Sequence, residues 1–135
     1  MKLGARRRAY LREATVTLAI AQLAVRFMPA SSVFAWANRP FGHINRFAVD
    51  EADWVFWAVE HVGAKPWMNA PCLPSALAAH AMLRRRGIAN RLCLGVARDG
   101  DEFAAHAWVE IGKDKIARDS EVGRFTRLAE FGGLK

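Results

Sequence analysis

Apolar residues fall on two sides of the stretch Leu11–Phe27. On a wheel of about 100° per residue, Leu11, Ala14, Leu18 and Val25 share one side, and Val16, Ile20, Leu23 and Phe27 lie nearly opposite. A helix apolar on two sides is either sandwiched in the core or leaves one face for a partner. Burial in the chain's own core is the plainer expectation. Pro29 ends this helix. A short apolar segment, Val33–Ala37, precedes a turn at Asn38–Gly42. The next helix has Asp50 as a cap and Asp53 in its first turn. It presents Trp54, Val55, Trp57, Ala58 and Val59 and finishes at Gly63.

Lys65–Pro71 reads as a loop, and Leu73–Arg86 as a helix with Pro74 in its first turn and Gly87 beyond its end. Ala76, Ala78, Ala79 and Ala81 allow that helix to pack closely on a sheet. Arg91–Ala97 and Phe103–Ile111 read as strands of a hairpin, with Asp99–Gly100 as the turn signal. Ile116–Asp119 begins a third strand or its end. The pattern predicts a single domain over 1–135, with a helical region over about 1–65 and an α+β core over about 66–135.

Composition adds limits. With 53% hydrophobic and 24% charged residues, the chain can bury a core. The net charge of +7 favours acidic partners. The basic runs Arg6–Arg8 and Arg84–Arg86 have no interleaved aromatic motif and no zinc-finger spacing, so nucleic-acid binding is not expected. The basic start followed by Ala14–Val25 has the outline of a secretion signal. Arg26 ends that run too early for a spanning helix, and the cleavage motif at 28–30 is poor. A folded helix is the reading, and a membrane role is not expected. Two cysteines make no disulfide framework, so the expected compartment is the cytoplasm.

The chemistry centres on Cys72 and His106. Cys72 stands where a helix begins, behind a loop ending in proline. Backbone N–H groups and the dipole there suit a thiolate, and the same N–H groups can hold an oxyanion. The bland alternative is an inert cysteine. His106 lies on a strand whose period of two puts Ala104, His106, Trp108 and Glu110 on one face. A cysteine-bearing helix packed on a histidine-bearing strand offers a nucleophile and its general base. A third group orients the imidazole. Asp119 is chosen over Glu110, which lies about 7 Å along the strand, and over Asp114, which is placed in a turn. Trp108 is either a wall of the cleft or a core residue. His80 reads as a structural or surface histidine and Cys93 as a core residue. The set Cys72, His80, Cys93 and His106 fits no standard zinc spacing, and neither metal nor cofactor is expected.

These residues carry a resemblance. Cys72–Leu73, Ser75–Leu77, Arg85–Gly87, Gly95–Val96 and Ala105–Glu110, in that order, resemble the catalytic domain of lasso-peptide leader peptidases. These are members of the transglutaminase-like superfamily, related to papain in architecture. The motif-rich match runs from about Cys72 to Ile111, and the apolar N-terminal region resembles the family's helical part. The resemblance implies an α+β domain in which N-terminal helices and a cysteine-bearing helix pack on a small antiparallel sheet. It implies Cys72 as nucleophile and His106 as base, with Asp119 at the acid position, where no distinctive motif stands. It also implies a cysteine endopeptidase that removes the leader of a ribosomally made precursor, before an ATP-dependent cyclase closes the macrolactam. The chain's length implies the split form, with leader recognition on a separate protein. That partner is expected on one apolar stripe of the first helix, or on Trp36 and Trp54. The alternatives are acyl transfer by the same pair and a non-catalytic peptide-binding subunit.

Overall fold

The structure, a computed structural model, describes residues 2–39, 49–111, 115–116 and 125–132. Among these residues four helices come first: α1 (Lys2–Phe27), α2 (Ala30–Ala37), α3 (Val49–Gly63) and α4 (Cys72–Arg85). Four strands follow: β1 (Asn90–Asp99), β2 (Glu102–Ile111), β3 (Lys115–Ile116) and β4 (Thr126–Gly132). Each paired strand is antiparallel to its neighbour, and the sheet order is β3-β2-β1-β4.

The hydrophobic pattern decides how the layers meet. Ala14 and Leu18 of α1 are fully buried among Val55 and Ala58 of α3, and Ala78, Met82 and Leu83 of α4. The sheet turns Leu92, Ala107, Val109 and Ile111 to that same core. Its other face carries Cys93 and Trp108, which form a second, smaller buried cluster with Phe125 against it.

The four-alanine helix α4 lies between the other helices and the sheet, where small side chains permit close approach. Its C-terminal end is closed as the sequence predicts. Gly87 takes a positive φ of 72°, and the Gly87 and Ile88 N–H groups bond to the carbonyls of Arg84 and Leu83 at 3.0 Å each. Gly100, φ 66°, turns the β1–β2 hairpin in the same backbone region.

Several expectations need correction. α1 begins nine residues before Leu11, and α2 is a full helix rather than a short apolar segment. β4 was not expected, because TRLAEFG shows no clean alternation. The stripe Val16, Ile20, Leu23 and Phe27 is not buried: these residues are 58%, 61%, 58% and 72% exposed. Among the described residues, α3 and α4 contribute their buried side chains to the core that holds Ala14 and Leu18. Trp54 is half-buried. It stacks on Tyr10 with ring centroids 5.6 Å apart and meets Trp57 edge-on.

The basic run at the end of α4 holds the helices together. The Arg86 guanidinium forks onto the Glu13 carboxylate and lies 4.7 Å from the Tyr10 ring centre. Arg84 donates to the carbonyl of Trp36 at 3.0 Å, at the C-terminal end of α2.

Candidate active site

Cys72 is the first residue of α4, half-buried and in the free thiol form. Pro71 before it has extended backbone and supplies no side-chain cap. Pro74 has no N–H, and the Ser75 N–H already donates to the Pro71 carbonyl at 3.1 Å. Among the described residues, the N–H groups of Cys72 and Leu73 are the open donors of this helix end, beside the sulfur.

His106 sits in β2 opposite Gly95 of β1. Its ring stacks on Phe125 at 5.0 Å and on Trp108 at 6.0 Å. The period of two fixes which way it points. Ala107, Val109 and Ile111 face the helices, so His106, Trp108 and Glu110 face away. Cys72 packs against the helical core. The packing of α4 on β2 thus brings the two segments together but turns the imidazole to the other side of the strand.

Trp108 is buried, and its indole N–H donates to Glu110 at 3.0 Å. It is at once a core tryptophan and the floor beneath His106. Glu110, buried beside it, also accepts from Arg91 at 2.9 Å and from Arg127. Burial raises the Glu110 pKa, but hydrogen bonds from Trp108 and Arg91 and the charge of Arg127 outweigh it and leave the group below its ordinary range. Glu110 is committed to this cluster. Asp119 and Asp114, the other acids considered, lie outside the described residues.

The remaining sulfur and imidazole have structural roles. Cys93 is fully buried, and burial together with the nearby Glu110 charge pushes its thiol up to about 12. It is a neutral thiol at physiological pH, unsuited to attack. His80 is fully buried; its Nε2–H donates to the Ala37 carbonyl at 2.9 Å, and Nδ1 lies 2.6 Å from Asn90 Oδ1. It bolts α4 to α2 and to the start of β1. No group of three or more His, Cys, Asp or Glu side chains placed to hold a metal occurs among the described residues. No helix among them is long and apolar enough to cross a membrane.

Sequence reasoning did not find Phe125 or Arg127, which lie beside His106 and Glu110. Phe125 and Arg127 stand far from the motif, and only strand pairing brings them in. Gly95 was noted in the motif, but its role as the seat of the Trp108 ring depends on register.

No curated protein and no solved structure matches the sequence. A family model, the transglutaminase-like superfamily, matches residues 14–130, a span holding both Cys72 and His106. That superfamily includes cysteine peptidases and acyltransferases. The chain therefore belongs to the transglutaminase-like superfamily, and its cysteine-bearing helix on a small antiparallel sheet is an α+β domain of that kind.

Proposed function

We propose that this protein is a cysteine endopeptidase that removes the leader from a ribosomally made lasso-peptide precursor. Cys72 is the nucleophile, His106 the base and Asp119 the group that orients His106. The observation that carries the reading is Cys72 itself: a half-buried free thiol at an uncapped helix start, with two open N–H donors beside it. The motif order from Cys72–Leu73 to Ala105–Glu110 supports the choice of substrate class.

The chemistry follows from these parts. His106 takes the Cys72 proton, and the thiolate attacks the scissile carbonyl carbon. The Cys72 and Leu73 N–H groups receive the charge that develops on the carbonyl oxygen. His106 then gives its proton to the leaving amine, and a thioester remains on Cys72. Water, deprotonated by His106, attacks the thioester, releases the carboxylate product and restores the thiol.

The reaction requires Cys72, His106 and the scissile bond to be brought together. A separate recognition protein presents the leader and supplies that proximity. The trimmed precursor then passes to an ATP-dependent cyclase, and the work takes place in the cytoplasm. Product masses test the reaction type. Hydrolysis adds the mass of water to the cleaved fragments, whereas the attachment of an added amine indicates acyl transfer and overturns the peptidase reading.

A further inference from the structure

The helices carry a second concave feature, and neither Cys72 nor His106 lines it. α1, α2 and α4 enclose a cavity of about 350 Å³. Val16 and Ile20 form one wall, Val33 and Trp36 another, and Leu77 the floor. The surface around it is apolar too. Leu23 and Phe27 continue the line of Val16 and Ile20 along α1, and Met28 is 49% exposed. An exposed apolar patch of this extent marks an interaction site.

Charge narrows the occupant. The described residues lining the cavity include no carboxylate, and Arg85 is their one charged member. The Arg85 side chain is 61% exposed, and its contacts to Glu13 and Thr17 are long, at 3.5 and 3.4 Å. Two more guanidiniums border the patch: Arg84 over the Trp36 ring and Arg26 over the Phe27 ring. An apolar cleft with a cationic rim is complementary to a segment bearing apolar side chains and carboxylates. The same rim opposes pairing with a second copy, since like charges would meet. A concave site suits inserted side chains better than the flat surface of a lipid bilayer. A small molecule filling the cavity would leave Leu23 and Phe27 uncovered.

We infer that this cleft docks an acidic polypeptide segment, with apolar side chains entering between α1 and α2 and its carboxylates meeting Arg85, Arg84 and Arg26. The inference goes beyond the peptidase reading and does not depend on the chemistry of Cys72.

The test uses the full chain and two labelled helical peptides of about 18 residues, each with leucine on one face. One carries glutamate on the other face and one carries lysine. Fluorescence anisotropy is expected to show the glutamate peptide binding at least about tenfold tighter than the lysine peptide. Ile20→Glu, at a position 61% exposed and so tolerant of change, should weaken that binding at least about tenfold. Arg85→Glu should reduce or reverse the preference between the two peptides. Cys72→Ala should bind as wild type does, which separates this result from any failure of cleavage. Equal binding of the two peptides, no binding of the glutamate peptide, or binding indifferent to both cleft variants would overturn the inference. So would capture by anionic phospholipid vesicles in place of peptide, or a dimer lost in Ile20→Glu.

Discussion

The indole of Trp108 lies where a side chain on Gly95 would stand. A Cβ at position 95 would fall 2.8 Å from Trp108 Cη2, 2.9 Å from Cζ3 and 2.8 Å from the Thr126 carbonyl oxygen. Gly95 is also where the β1–β4 register shifts, and it is the partner of His106 across β1–β2. Glycine here lets one ring cross the strand and form the surface on which His106 stacks.

Gly95→Ala is therefore expected to destabilise the fold by about 1–3 kcal/mol. The backbone oxygen cannot yield cheaply, so Trp108 must move, and the stack with His106 loosens with it. Urea unfolding followed by tryptophan fluorescence measures the stability change. Near-ultraviolet circular dichroism of the folded variant should show the altered indole environment. An unchanged midpoint and spectrum would contradict the contact.

The Glu110 cluster gives a pH prediction. Folded-state pKa values below the ordinary 4.5 are found for Glu110 and for Glu13 beside Arg86. A depressed carboxylate contributes stability that is complete above its unfolded pKa and is lost as pH falls through the folded value. The contribution of these two carboxylates should thus hold down to about pH 4.5 and decline below it. Glu110→Gln should cost about 1–2 kcal/mol at neutral pH. This is less than a fully buried pair would lose, because Arg91 and Arg127 are partly solvated. It should also flatten the acid decline. Chemical denaturation at several pH values checks both.

The two cysteines should differ in reactivity. Iodoacetamide at pH 8 should label Cys72 in the folded protein and leave Cys93 untouched. Cys93 is fully buried, with its thiol raised to about 12. In the unfolded chain it ionises near the ordinary 9.0, so stability should fall as pH rises from there toward 12. Peptide mapping after alkylation in native buffer and in urea reads the difference directly.

His80 gives the opposite pH dependence, on the acid side. Burial lowers its pKa from 6.5, more than its contacts with Asn90 and Ala37 raise it. A histidine held neutral contributes stability that is complete above 6.5 and is lost as pH falls below it. His80→Ala should cost about 2–4 kcal/mol through the cavity and the lost contacts to Ala37 and Asn90. It should also remove the part of the pH dependence just below 6.5, as thermal melts across that range would show.

The parts legible in the sequence were those with local causes. Gly87 and the arginines before it mark the end of α4, Asp99–Gly100 marks the hairpin, and the two stripes of α1 show plainly on a wheel. What the pattern of α1 could not decide was which stripe meets the core, since that depends on where α3 and α4 pack. β4 escaped because its pairing with β1 is long-range and its residues lack alternation. The same long-range pairing brings Phe125 to His106 and Arg127 to Glu110. The sequence pointed to Cys72 and His106 as functional residues. The alternation that buries Ala107 toward the helices sets His106 on the other face of β2, with Trp108.

Cleavage of a lasso precursor, incubated with this protein and its recognition partner and followed by mass spectrometry, tests the central claim most directly. The wild type should cut at one bond, and Cys72→Ala should leave the precursor intact while still binding it. Equal cleavage by both forms would remove Cys72 from the mechanism. A precursor left whole by the wild type, under conditions where the recognition partner is bound, would contradict the peptidase reading and leave a peptide-binding subunit in its place.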